Sequence, residues 1–204
     1  MRILGRTSSL NVRKVLWTCD ELGLAYGREW TSGVPGDDPD FRKLNPNGLI
    51  PVIIDDNGVL WESNTICRYL IGLAGREELL PAAPAPRAQV ERWMDWQATE
   101  LNAAWRPAFL ALARRDPRFQ DQVTIAASID RWNAVMAILN AQLSTTDAYV
   151  AGPSFTLADI AIGLSVHRWL YTPMQRPELR AVAAYYDRLR QRPAFAPYAL
   201  PDVP

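Results

Sequence analysis

The residues with the most chemical potential in this sequence stand at two helix starts and one proline corner. Thr7-Ser8-Ser9 precedes Leu10-Asn11, where an apolar pattern of helical period begins. A hydroxyl there, with Asn11 beside it, faces the positive end of a helix and is able to donate to an anion. If that anion is a thiolate, the charge-assisted hydrogen bond contributes about 1.5–3 kcal/mol and the helix terminus about 0.3–1 kcal/mol. Together they lower a thiol pKa by roughly one to three units from about 8.5, which ionises most of it at neutral pH. The same Ser-x-Asn pattern also describes an ordinary N-cap.

The proline corner is Asn45-Pro46-Asn47-Gly48-Leu49-Ile50-Pro51, followed by Val52-Ile53-Ile54. Asn-Pro and Asn-Gly are turn dipeptides, and Pro51, lacking a backbone donor, fits the first residue of a strand. An X-Pro bond here is a candidate cis bond; a cis bond would turn Ile50 outward, its N–H and C=O free to pair with an extended peptide. Asp56-Asn57-Gly58 then closes a hairpin onto Val59-Leu60-Trp61, and Glu62-Ser63 opens the next helix. Ser63, at that helix start, is able to meet a carboxylate. Corner and helix start together would hold a small peptide-like molecule carrying a carboxylate; a plain hairpin and cap is the alternative.

Other chemistries are poorly served. The single histidine, His167, lies on an amphipathic stretch away from Ser8 and Ser9, so it reads as structural and not as part of a Ser-His-Asp triad. Cys19 and Cys67 have no metal-ligand spacing and read as core thiols, so no metal site is expected. No Gly-rich loop follows a strand, which argues against nucleotide binding. Lys plus Arg (22) balance Asp plus Glu (22), which argues against nucleic acid and acidic membrane surfaces. No run approaches the roughly 18 apolar residues of a membrane span, and the first five residues are too short for a signal peptide. A soluble, cytoplasmic protein is the expectation.

At 204 residues the chain suits one domain plus a partner layer. A strand at 2–4, a helix at 11–22 stopped by Gly23, a strand at 26–30, a loop at 31–40, a helical turn at 40–44, the hairpin, and a helix at 63–73 ended by Gly75 make an α/β layer with a mixed sheet. Pro81-Ala82-Ala83-Pro84-Ala85-Pro86 is a proline-rich break. After it only helices are expected: 87–115 with a kink at Pro107, 120–143, one starting at Thr156, and 178–191, before an irregular tail at 193–204. Thr156 with Asp159 three residues on is a capping box, with Phe155 and Ile160 at the staple positions. Of eight tryptophans, Trp93, Trp96, Trp105, Trp132 and Trp169 fall in this half, where a helix-lined cavity or interface needs bulk.

Taken together, four segments resemble the cytosolic glutathione S-transferases, in particular bacterial serine-type members related to the theta and phi classes. They are Ser8-Ser9-Leu10-Asn11-Val12-Arg13-Lys14-Val15-Leu16, Leu44 to Val52, Trp61-Glu62-Ser63-Asn64-Thr65-Ile66, and the Thr156–Asp159 box, and the likeness covers nearly the whole chain. The resemblance implies α/β plus all-α architecture: a thioredoxin-like glutathione-binding domain at 1–76, a linker at 77–86, and an all-helical domain at 87–204 contributing the electrophile pocket. Ser9 then matches the serine that stabilises the glutathione thiolate. Its spacing to Asn11 and Arg13 fits the family better than that of Ser8. Leu49, Ile50 and Pro51 match the stretch whose backbone pairs with the cysteinyl part of glutathione, and Glu62 and Ser63 the pair holding its γ-glutamyl groups.

Many relatives carry a lysine where this chain has Leu49; Arg42, Lys43 or the loop near Trp30 are the substitutes for reaching the glycyl carboxylate. The position of the cysteine-using beta class holds no cysteine, so a mixed disulfide with the protein is not expected. The second-substrate pocket is expected between residues 7–10, Leu10 among them, and the helix carrying Trp105 and Arg106, which suit an apolar or aromatic electrophile. A core Trp105 and a solvated Arg106 are the alternative. Trp93, Met94 and Trp96 belong either to the homodimer interface of the family or to the helical core. The implied activity is detoxifying glutathione transfer, with glutathione as co-substrate and no cofactor. The alternatives are a non-catalytic ligand- or protein-binding module and a glutathione-dependent reductase, dehalogenase or isomerase.

Overall fold

The computed structural model describes residues 1–29 and 37–200, and the chain divides into two compact units, Met1–Leu80 and Pro81–Pro204. The first holds β1 (Arg2–Leu4), α1 (Leu10–Leu22), β2 (Gly27–Glu29), α2 (Pro39–Leu44), β3 (Val52–Asp55), β4 (Gly58–Trp61) and α3 (Ser63–Ala74). The sheet order is β2-β1-β3-β4, with β1 parallel to β2 and antiparallel to β3, so it is mixed, as the alternation of elements requires. Leu4 pairs with Val52 in register, and both pack on Phe41 of α2. Alternation turns their neighbours Ile3 and Ile53 to the other face, where both are fully buried. α1 and α3 lie against each other and end at Gly23 and Gly75, each in the left-handed conformation that caps a helix.

The second unit holds α4 (Pro84–Trp96), α5 (Asn102–Leu112), α6 (Gln122–Thr146), α7 (Leu157–Tyr171) and α8 (Arg180–Arg190). α7 is the core: every residue from Leu157 to Trp169 is buried, and α4 and α8 pack on it. Its start carries the capping box. Asp159 is fully buried and accepts the Thr156 N–H at 2.8 Å, while Phe155 and Ile160 are both buried. His167 is structural, its Nδ1 lying 2.7 Å from the Tyr186 hydroxyl and its Nε2 3.1 Å from the Leu200 carbonyl.

Several boundaries differ from the sequence expectation. β2 covers only Gly27–Glu29; Trp30 and residues 31–36 of the expected loop lie outside the described residues. The expected linker at 77–86 is overtaken by α4, which starts at Pro84: a proline in the first turn has no N–H to lose. The single helix expected at 87–115 is two helices, joined by a π-helical turn at Gln97–Leu101. The last helix starts at Arg180, not 178. The tail expected to be irregular contains a 3₁₀ segment, Pro193–Tyr198, anchored by buried Phe195 and Tyr198. Residues 201–204 lie outside the described residues.

Candidate active site

In the first unit the site grows from the start of α1. Ser9 is its N-cap, with extended φ −88° and ψ 123°, and its Oγ accepts the Val12 N–H at 3.5 Å. That bond uses a lone pair and leaves the O–H, which has no acceptor among the described residues. Ser8, by contrast, is already engaged within the fold. Asn11 is exposed in the first turn, and Leu10 beside it is buried.

The proline corner is brought against this helix start by Gly5. Its φ of +152° suits glycine, and a Cβ there would stand 2.5 Å from Val12 Cγ2 and 3.4 Å from the Ile50 Cβ. The Ile50–Pro51 peptide is cis. Asn45 braces the corner: its Nδ2 donates to the Leu49 carbonyl at 2.7 Å and its Oδ1 accepts the Asn47 N–H at 3.0 Å. Pro51 is buried, Ile50 half-buried, and Leu49 stands 64% exposed. Of the substitutes for a basic side chain there, Arg42 donates to the Pro46 carbonyl at 3.2 Å and Lys43 pairs with Asp40 at 2.7 Å. Both side chains are exposed. Trp30 lies outside the described residues.

Glu62 is the third component. Its backbone has φ 73° and ψ 107°, a region that costs a non-glycine residue about 1–3 kcal/mol. That conformation turns the chain from β4 into α3, whose first residue is Ser63. The Glu62 carboxylate is exposed and Ser63 is buried, and neither side chain has a partner among the described residues. Lys14, buried on α1, donates from Nζ to Oδ1 of Asn64 at 2.9 Å, so the starts of α1 and α3 are tied together. That tie was not read from the sequence, where Lys14 lies off the apolar stripe of α1 and nothing signals its partner.

The two thiols are unsuited to chemistry. Burial pushes Cys19 up to about 12 and Cys67 up to about 11. Among the described residues no group of His, Cys, Asp and Glu is arranged to hold a metal ion.

In the helical unit, Trp105 and Arg106 stand on α5, Trp105 partly exposed and Arg106 exposed. The Trp105 Nε1–H donates to Asn102 Oδ1 at 2.9 Å, and the buried Arg168 guanidinium lies 4.4 Å from its ring centre. At Pro107 the helix is opened by a side chain from α6: Ser128 Oγ accepts the Ala108 N–H at 3.1 Å and donates to the Ala104 carbonyl at 2.7 Å. Trp93 and Met94 are buried and Trp96 half-buried. Sequence reading singled out Pro107 but not Asn102 or Ser128, whose partners come from a helical irregularity and from another helix.

A four-stranded mixed sheet with a cis-proline corner beside a serine-capped helix, followed by a helical unit, is the architecture of the glutathione transferases. The sequence pattern described as "Glutathione S-transferase, N-terminal domain" matches residues 8–71, and "Glutathione S-transferase, C-terminal domain" matches residues 104–188. The chain belongs to the glutathione S-transferase family. It is 40% identical over 202 residues to Glutathione S-transferase GstB of Escherichia coli K12, covering 93% of each chain. It is 31% identical over 179 residues to Glutathione S-transferase F10 of Arabidopsis thaliana, covering 80% of each. Among solved structures, the glutathione-bound theta class enzyme of Xanthomonas axonopodis pv. citri superposes with a TM-score of 0.90 at 38% identity, covering 98% of this chain and 96% of that one.

Proposed function

We propose that the protein is a serine-type glutathione transferase in which Ser9 holds the thiolate of glutathione. The observation that carries this is the Ser9 hydroxyl, fixed at the N-cap of α1 with its O–H unspent. In this reading the backbone of Ile50, at the corner that Gly5 holds against α1, pairs with the cysteinyl part of glutathione. Glu62 meets the γ-glutamyl ammonium, and Ser63 with the first N–H groups of α3 meets its carboxylate. Asn11 completes the polar rim at the start of α1.

The reaction is substitution at an electrophilic carbon. The thiol gives its proton to solvent on binding, and the Ser9 O–H donates to the sulfur anion. The anion attacks carbon; the C–S bond forms as the bond to the leaving group breaks, and the leaving group departs with the electron pair. Holding both reactants lowers the entropic part of the barrier. On the second unit Trp105 and Arg106 are assigned to the electrophile, which is apolar or aromatic. The reading includes a homodimer acting in cytosolic detoxification; no helix of the described residues is long and apolar enough to cross a membrane.

The test is an ultraviolet titration of the thiolate band of bound glutathione. A bound pKa roughly one to three units below the free value, lost in Ser9→Ala and kept in Ser8→Ala, is the expected result. Glutathione bound with its free pKa, or not bound at millimolar concentration, would replace the enzyme with a binding module.

A further inference from the structure

We propose that Asn102 is a positioning residue of the transferase, and that the π-helical turn before α5 exists to let it fix the indole of Trp105. The inference rests on the assignment of Trp105 to the electrophile and asks what holds that ring.

Trp105 is only partly exposed, and on its own unit it meets Asn102, Arg168, Phe109 and Trp132. Its Nε1–H donates to Asn102 Oδ1 at 2.9 Å. The same oxygen accepts Nε2 of Gln97 at 3.0 Å, and that Nε2 also donates to Ser165 Oγ at 3.1 Å on the core helix α7. Gln97 is 0% and Ser165 1% exposed, so this end of the network has no access to solvent. Ser165 itself donates to the Ala161 carbonyl at 3.0 Å. An indole N–H is donor only, so Asn102 must present its oxygen to Trp105, and its Nδ2 turns to the Ala98 carbonyl at 3.4 Å.

The π turn is what makes this network possible. In an α-helix residues five apart stand about 140° away from each other around the axis and cannot meet. Within Gln97–Leu101 the chain takes one residue more per turn, so Asn102 N–H donates to the Gln97 carbonyl and the two side chains bond as well. A second device acts from the other side. Arg168, 4% exposed, lies 4.4 Å from the Trp105 ring centre and 4.0 Å from that of Phe109, and Phe109 meets Trp105 edge-on at 5.3 Å. The indole is thus clamped at its nitrogen and on its ring, in one orientation. Such a held ring is a flat wall for a planar aromatic electrophile, and its value lies in the ordering already done before the substrate arrives.

The test uses steady-state kinetics with glutathione and two electrophiles, chlorodinitrobenzene (planar, aromatic) and iodomethane (small, aliphatic). Asn102→Ala is expected to raise the KM for chlorodinitrobenzene by roughly three- to tenfold, the worth of one neutral hydrogen bond. The KM values for glutathione and iodomethane should stay within about twofold. Asn102→Asp keeps the acceptor oxygen and should restore the wild-type KM. Trp105→Phe keeps a ring without the N–H and should reproduce the Asn102→Ala effect, even if Asn102→Ala itself folds poorly. In the Trp105→Phe background, Asn102→Ala should then add nothing.

An Asn102→Ala effect that persists undiminished in Trp105→Phe, or that raises the KM of both electrophiles alike, overturns the proposal while leaving Trp105 in the electrophile site. A Trp105→Ala variant with an unchanged chlorodinitrobenzene KM overturns the proposal and the assignment of Trp105 with it. If neither electrophile reacts while bound glutathione keeps its free pKa, the catalytic reading itself has failed, and the positioning role falls as its consequence.

Discussion

Asp159 should contribute a fall in the stability of this protein as pH rises from about 4 to above 6, and a single substitution should remove that contribution. The carboxylate is fully buried at the start of α7. It accepts the Thr156 N–H at 2.8 Å, the Thr156 hydroxyl at 3.2 Å, the Val150 N–H at 3.0 Å and the Tyr185 hydroxyl at 3.0 Å. These four bonds favour the charged form, yet burial outweighs them and raises the pKa from 3.8 to about 6. The folded protein therefore holds this proton more tightly than the unfolded chain does. Its contribution to stability is complete below about pH 4 and is lost as pH rises through about 6. A shift of about two units corresponds to about 3 kcal/mol.

Asp159→Asn keeps one acceptor oxygen and turns an NH₂ toward the donors of Thr156, which costs about 2–3 kcal/mol for groups left unpaired. Because asparagine does not titrate, the gap between wild type and variant should be widest below about pH 4 and be narrower by about 3 kcal/mol at pH 7.5. Urea unfolding of both proteins across that range, at one protein concentration, measures the gap directly, and groups common to both cancel. A gap that stays flat, or widens toward neutral pH, would show the carboxylate charged throughout, and the weight given to burial over the hydrogen bonds would be wrong.

Glu62→Gly should raise stability by about 1 kcal/mol, since glycine accepts the positive φ, while raising the KM for glutathione by roughly tenfold or more through loss of the carboxylate; urea unfolding and kinetics read the two effects separately, and a loss of stability would refute the strain. Ser128→Ala should cost about 1–3 kcal/mol, because the Ala108 N–H and Ala104 carbonyl are buried and lose the hydroxyl between them; a change below about 0.5 kcal/mol in urea would mean that α5 closes by itself. Cys19 and Cys67, both buried, should resist maleimide labelling at pH 8 in the native protein and react fully in urea; rapid native labelling by mass spectrometry would contradict their raised pKa values.

The local parts of this protein are legible in its sequence because their physics is local. Ser9 before an apolar helix, Gly23 and Gly75 after one, and Thr156 with Asp159 each specify a helix end from within a few residues. The Asn-Pro-Asn-Gly turn and the Ile50-Pro51 pair mark the corner before β3 in the same way. The family resemblance set these pieces in order and gave the two-unit architecture. Tertiary structure decided whatever needs a partner distant in sequence. Nothing near Gly5 announces Val12 and Ile50 around it, nor does Lys14 announce Asn64. The helix expected to run through 87–115 obeys its periodicity on either side of Gln97–Leu101. It breaks there into a π turn in which Gln97 bonds both Asn102 and Ser165 of α7. Ser128 enters α5 from α6 at the one place where Pro107 has loosened the helix, and a proline predicts the opening but not what fills it. Periodicity and capping are properties of one segment; closing a buried polar network is a property of several, and only the packed chain brings them within hydrogen-bond distance of each other.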